Sequence, residues 1–96
     1  MAVTVVVRIP GVLRAEAGGN SSVECAAADG ATLGSVLDEV AVAWPLLERR
    51  IRDERGQLRR YVNVYLDGEE CRRLDGLGTP VTDRTEILVI PSVAGG

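Results

Sequence analysis

Residues 33–44 read L-G-S-V-L-D-E-V-A-V-A-W. Apolar side chains recur there at intervals of three and four residues, which is the spacing of one stripe along an α-helix. The stripe consists of Leu33, Val36, Leu37, Val40 and Trp44. Thr32 precedes the helix and can accept a hydrogen bond from a free backbone N–H of the first turn. Pro45 ends this helix or begins a second one, because the residue before a proline is pushed out of the α region.

Two strands are expected on the N-terminal side of this helix. Residues 3–9, V-T-V-V-V-R-I, alternate between β-branched residues on one face and Thr4 and Arg8 on the other, which is typical of a strand packed on a core. Residues 15–22 have turn chemistry, and residues 23–27 can return as a second strand. The N-terminal part therefore predicts a hairpin with a long loop.

Three further strands are expected after the helix. Residues 61–66, Y-V-N-V-Y-L, alternate again, and Asp67-Gly68 is a strong signal for a tight turn into a short return strand. Residues 74–83 are expected to form a loop or a 3₁₀ turn. Residues 86–90, E-I-L-V-I, are apolar on both faces, which is typical of a central strand with a neighbour on each side.

These elements predict an α+β fold, a mixed sheet of four or five strands with one main helix packed across one face. One helix cannot cover both faces of a sheet. The uncovered face should then contain Val6 and one of two pairs, either Ile87 with Val89 or Leu88 with Ile90. An exposed apolar patch often marks a protein partner, although single apolar residues are also normal on surfaces.

Composition excludes several classes of function. The 96 residues, the size of one domain, include no His and only two Cys, so neither a metal site nor a His-activated nucleophile is expected. The net charge of −3 argues against nucleic acid as a partner. The longest apolar run, residues 40–47, is too short to span a membrane, and residues 1–4 lack the basic start of a secretory signal. We expect a cytoplasmic protein without a membrane partner.

All eleven basic residues are Arg, and six of them lie in residues 48–60 against three acidic residues. This segment is either a solvated helix end and loop or a docking edge for an acidic partner. The chain contains no Lys, so it cannot accept an isopeptide bond on itself in the usual way.

Residues 91–96, P-S-V-A-G-G, have small side chains and no charge except the terminal carboxylate. A segment with no core residue is expected to form a flexible, extended arm. Two glycines, which lack a Cβ, can pass through a channel too narrow for any side chain. The sequence therefore predicts a domain over residues 1–90 and a tail over residues 91–96 that presents its carboxylate inside another protein.

Four segments together resemble the MoaD/ThiS family of ubiquitin-like sulfur carrier proteins, which have the β-grasp fold. They are residues 3–10, 32–37, 61–68 and 90–96. The stretch around residues 48–60 makes the chain longer than the shortest family members, and in that respect it is most similar to the actinobacterial carriers used in cysteine synthesis. The ending V-A-G-G also closes small subunits of molybdopterin synthase and carriers of the thiamin pathway.

The resemblance implies a protein co-substrate and no enzyme. An E1-like enzyme would adenylate the carboxylate of Gly96 with Mg-ATP, and sulfur would displace AMP to leave a C-terminal thiocarboxylate. A sulfur-acceptor enzyme of the sulfhydrylase or synthase type would then receive the sulfur. On this account Gly96 carries the sulfur, Gly95 allows passage through the channel, Val93 and Ala94 seat the tail, and no cofactor is tightly bound.

Several alternatives remain open at this point. The chain can be a molybdopterin synthase small subunit, a modifier joined through Gly96 to lysines of targets, or a plain interaction module. Cys25 and Cys71 compete with Gly96 as sulfur carriers, since Arg72 and Arg73 beside Cys71 could depress its pKa. Ordinary thiols in a reducing compartment are the more conservative interpretation.

Overall fold

A computed structural model describes residues 2–91 of the chain. Its strands are β1 (Ala2–Arg8), β2 (Ser22–Ala28), β3 (Val62–Leu66), β4 (Glu69–Glu70) and β5 (Glu86–Pro91). Its α-helices are α1 (Leu33–Ala43) and α2 (Pro45–Ile51). Short 3₁₀ helices cover Gly11–Ala17, Cys71–Arg73 and Gly76–Gly78.

The strands form one mixed sheet in the order β2-β1-β5-β3-β4. β1 pairs with β5 in parallel, and the other neighbours are antiparallel. β5 therefore lies between two neighbours, which confirms the prediction made from its apolar run. Its register places Ile87 beside Val7 of β1 and Val89 beside Val64 of β3, so these side chains enter the core together.

Helix α1 begins where the sequence predicts. The Thr32 hydroxyl accepts a hydrogen bond from the Ser35 backbone N–H at 3.3 Å, and the Ser35 hydroxyl accepts one from the Thr32 backbone N–H at 2.8 Å. This reciprocal pair satisfies two N–H groups that the first turn leaves without partners. Trp44 leaves the helical conformation, and Pro45 starts α2, where a missing N–H costs nothing.

The core lies between the two helices and one face of the sheet. The α1 stripe is fully buried at Leu33, Val36, Leu37 and Val40. The inward face of the sheet supplies Val5, Val7, Val64, Ile87 and Val89. The inward face of the alternating strands therefore packs against the apolar stripe of the helix. The predicted α+β architecture is confirmed.

Two local elements differ from the sequence expectation. Gly11–Ala17 forms a 3₁₀ helix within the predicted long loop, and it buries Leu13 and Ala17. It ends at Gly18, whose φ is +65°, and a Cβ at this position would lie only 3.1 Å from the Trp44 ring. The return strand after the Asp67-Gly68 turn is only two residues long, because the chain turns into the 3₁₀ helix Cys71–Arg73.

Candidate functional site: the tail root and the open sheet face

The residues predicted to carry the function are Val93, Ala94, Gly95 and Gly96. They lie outside the residues that the structure describes, as does most of the predicted tail over residues 91–96. The structure does describe the residue from which this segment departs, Pro91, the last residue of β5. We call the surroundings of Pro91 the tail root.

The tail root is at the end of a central strand. Pro91 pairs with Val62, the first residue of β3, and Ile90 pairs with Asn63. β1 pairs with β5 only from Glu86 to Leu88, whereas β3 pairs with it from Ile87 to Pro91, so the tail root is anchored on the β3 side.

The sheet face opposite the helices exposes apolar side chains beside the tail root. Leu88 is 37% exposed and Ile90 is 41% exposed, whereas Ile87 and Val89 are completely buried. Of the two pairs that the sequence allowed, the outward pair is therefore Leu88 with Ile90. Tyr65 lies next to Leu88 in the register, and Val6 lies on the same face, each partly exposed. We call Val6, Tyr65, Leu88 and Ile90 the open sheet face.

A surface ion pair borders this face. The Arg8 Nε donates to the Glu86 carboxylate at 3.0 Å, and both side chains are about half exposed. Such a pair contributes little to stability. An apolar centre with a charged border is the arrangement found at protein interfaces.

The Arg-rich segment, residues 48–60, divides into two parts. Arg52 is nearly buried and donates to the carboxylates of Glu48 and Asp38, and Arg50 pairs with Glu16 at 3.0 Å. Burial lowers the pKa of Arg52, but the two carboxylates outweigh it and raise the pKa overall. These two arginines hold α2 to the rest of the domain and are structural.

Other arginines gather at the tail root. The Arg72 guanidinium donates to the carbonyl oxygens of Val62 and Arg59, each at 2.9 Å, and to Asn63 Oδ1 at 3.2 Å. The Arg59 Nε donates in turn to the Arg49 carbonyl at 2.8 Å. Sequence reasoning noted the charge of residues 48–60 but missed that Arg72 joins it, because the contact spans the β3–β4 hairpin.

Neither cysteine has the environment of a sulfur-carrying thiol. Cys71 is fully buried, and burial, followed by the nearby Glu70, raises its pKa; Arg72 lowers it by less. Burial and Glu39 raise the pKa of Cys25. The suggestion that neighbouring arginines depress the Cys71 pKa is therefore wrong. The Arg72 guanidinium is directed to Val62, Arg59 and Asn63, and the thiol itself is desolvated.

Within residues 2–91, no group of three His, Cys, Asp or Glu side chains is placed to hold a metal ion. In the same part of the chain, no helix has the length and apolar character needed to cross a membrane. An open groove lined by Ala26, Ala28, Ser35 and Glu39 lies between α1 and the end of β2. The register places it at the end of the sheet remote from Pro91.

Comparisons with known proteins extend this description. A family model described as the ThiS family matches residues 7–96. The sulfur carrier protein CysO of Mycobacterium tuberculosis is 37% identical over 94 residues, covering 96% of this chain and 98% of that protein. Small archaeal modifier protein 3 of Haloferax volcanii is 35% identical over 78 residues, covering 81% of this chain and 84% of that protein.

Among solved structures, a chain of the Amycolatopsis orientalis BexX/CysO complex superposes with a TM-score of 0.81 at 37% identity. The match covers 96% of this chain and 99% of that one. The fold is therefore the β-grasp fold of ubiquitin-like carriers, as the sequence resemblance implied. These relatives are sulfur carrier and modifier proteins rather than catalytic enzymes.

Proposed function

The chain belongs to the ThiS family, and from this premise we propose that it is a sulfur carrier protein that works through the carboxylate of Gly96. The observation that carries the proposal is the extent of the family match, which runs to residue 96 and thus includes the Gly-Gly ending. The similarity to CysO over nearly the full length of both chains supports the same role.

The proposed chemistry begins with activation of a poor electrophile. A free carboxylate resists nucleophilic attack because it is negatively charged. An E1-like enzyme transfers AMP from Mg-ATP to the Gly96 carboxylate, releasing pyrophosphate. Sulfide, as HS⁻, then attacks the acyl carbon, the C–S bond forms, the bond to AMP breaks, and the new thioacid loses its proton to water. The product is a C-terminal thiocarboxylate, and its anion is a sulfur nucleophile for the same reason that a thiolate is.

In this proposal the chain supplies binding surface and the partners supply catalytic groups. Gly95 has no side chain to obstruct a narrow channel, and Val93 and Ala94 seat the segment within it. The open sheet face supplies the docking surface, because Leu88 and Ile90 are exposed beside the tail root. Binding there would exclude water from the reacting carboxylate.

We further propose that the acceptor is an enzyme of the sulfhydrylase type in cysteine or sulfur-metabolite synthesis, working in the cytoplasm. The similarity to CysO favours this acceptor, and the two free thiols favour a reducing compartment. A second candidate is protein modification through Gly96, which the similarity to the archaeal modifier favours. A molybdopterin synthase subunit is a third, distinguished by a stable complex with a larger subunit.

Alkylation followed by intact-mass analysis tests the proposal. The protein is purified from its own host without a C-terminal tag, denatured, reduced and alkylated. Cys25 and Cys71 take two labels, and a thiocarboxylate takes a third. We expect a third label that maps to Gly96. Two labels in every preparation, even after incubation with host extract, ATP and a sulfur source, would refute the carrier role.

The same host lysate separates the carrier from the modifier. Antibody against the protein should detect a single species at the mass of the free chain if it acts only as a carrier. A ladder of larger species that resists reduction, and that disappears when Gly96 is deleted, would assign the modifier role. Deleting Gly95 and Gly96 should abolish both the carrier and the modifier function, whereas a plain interaction module should keep its function almost unchanged.

A further inference from the structure

We propose that Arg49, Arg59, Arg60 and Arg72 form a basic collar around the tail root, and that this collar docks against an acidic surface at the entrance of the adenylating enzyme's active site. The inference rests on the proposed function and names a recognition surface for it. The collar is distinct from the apolar open sheet face, although the two adjoin.

Hydrogen bonds to backbone carbonyls hold the collar together. Arg72 donates to the carbonyl of Arg59, and Arg59 donates to the carbonyl of Arg49. Arg72 also donates to the carbonyl of Val62, the residue that pairs with Pro91. Arg60 follows Arg59 in the chain and is exposed. The Arg59 and Arg72 guanidinium groups are therefore held close to the point where residues 92–96 depart, and Arg49 and Arg60 adjoin them as exposed arginines.

Few ion pairs with the domain's own acidic residues offset the collar, although the Arg59 charge, after a backbone hydrogen bond from Gln57, helps to lower the pKa of Asp53. Within residues 2–91, Arg49, Arg59 and Arg60 take part in none of the ion pairs, and Arg72 contacts one carboxylate, Glu70, at 3.5 Å. This differs from Arg50 and Arg52, which are paired with acidic residues. Arginines left without acidic partners in a chain of net charge −3 are suited to an external negative surface.

The collar continues the open sheet face toward the tail. Ile90 pairs with Asn63, whose side-chain oxygen accepts from Arg72. An apolar centre therefore adjoins a cationic border, as in a protein interface. Five residues follow Pro91, and a fully extended chain of that length spans at most about 17 Å. A partner that takes Gly96 into its active site must therefore cover the tail root closely, so the collar faces the entrance of that site.

The proposal is tested by reversing the charge of Arg49 and Arg60. Within residues 2–91, these are the two collar residues whose side chains make no hydrogen bonds. Arg49→Glu with Arg60→Glu is compared with Arg49→Gln with Arg60→Gln and with the matched control Arg84→Glu. Arg84 is also exposed, but it precedes β5 and lies at the opposite end of that strand from Pro91. The assay is ATP–pyrophosphate exchange by the purified E1-like enzyme of the same host, with thermal unfolding as a check on folding.

We expect the Glu pair to raise the KM for the carrier about tenfold at low ionic strength, since electrostatic steering changes encounter rates by a factor of ten or more. The Gln pair should have a smaller effect, Arg84→Glu almost none, and kcat should stay unchanged. The difference should shrink in about 1 M NaCl, where the Debye length is roughly 3 Å.

The outcomes separate this proposal from the one on which it rests. A KM for the Glu pair equal to that of Arg84→Glu overturns the collar and leaves the carrier function standing. No pyrophosphate exchange with the wild-type chain removes the carrier function, and the collar with it. Binding of a mixed-sequence DNA duplex by the wild-type chain, lost in the Glu pair, would assign the collar to nucleic acid and also overturn the proposal.

Discussion

Replacing Leu88 and Ile90 by threonine should weaken binding to the proposed activating enzyme without unfolding the domain. Full burial of a Leu or Ile side chain is worth roughly 1.5–3 kcal/mol. Leu88 and Ile90 are still 37% and 41% exposed, so docking can bury that remainder. The corresponding free energies, about 0.6–1.1 and 0.6–1.2 kcal/mol, sum to about 1.2–2.3 kcal/mol. Threonine retains one methyl group, so we expect a dissociation constant about tenfold higher, or roughly 1.4 kcal/mol.

The variant should remain folded, because threonine favours strands and surface substitutions usually change the free energy of unfolding by less than about 0.5 kcal/mol. Titration calorimetry with the activating enzyme measures the affinity, and thermal unfolding checks the fold. The matched control is Val42→Thr on α1, since Val42 is 80% exposed but lies on the helical side. The reasoning is refuted if the double variant Leu88→Thr with Ile90→Thr keeps its affinity and Val42→Thr loses affinity. The docking surface would then be the helical side.

Three further predictions concern the tail, the thiols and the helix cap. Gly95→Val, or one residue added after Gly96, should leave the melting temperature unchanged and abolish pyrophosphate exchange; exchange at the normal rate contradicts the narrow channel. Because burial raises the pKa of Cys71 and Cys25, iodoacetamide at neutral pH should label both thiols more slowly than free cysteine. Labelling should accelerate only as the pH rises past the ordinary thiol pKa. Labelling as fast as that of free cysteine would contradict the burial of the two thiols. Thr32→Ala removes the cap on α1 and should cost about 1 kcal/mol, seen as a fall in melting temperature of roughly 4–8 °C, whereas an unchanged value means that Ser35 alone caps the helix.

The parts of the fold with a clear period were predictable from the sequence. The stripe from Leu33 to Val40 and the alternation in β1 each indicate one buried face, and the structure buries that face. β5 was predictable as a central strand. Which of its side chains face the core was not predictable, because both faces of the strand are apolar. The register against Val7 and Val64 decides it, and register is a tertiary property.

The tail root shows a second limit of sequence reasoning. Sequence adjacency placed Arg72 beside Cys71 and suggested an activated thiol. The folded chain instead directs the Arg72 guanidinium across the hairpin to Val62 and Arg59 and buries the thiol. Composition also located the excess of arginine in residues 48–60, but it could not separate Arg52, which is paired and nearly buried, from Arg60, which is exposed.

In the proposed chemistry, the choice between carrier and modifier depends on the nucleophile that attacks the activated carboxylate of Gly96. The chain is similar over most of its length both to a named sulfur carrier and to a named modifier, so sequence similarity does not distinguish the two roles. Sulfur attacking the acyl adenylate yields a thiocarboxylate, whereas a lysine amine attacking it yields an isopeptide bond. This chain has no lysine and therefore cannot be its own acceptor through a lysine side chain. Chains of the protein linked through lysine are therefore excluded, whichever partner receives Gly96.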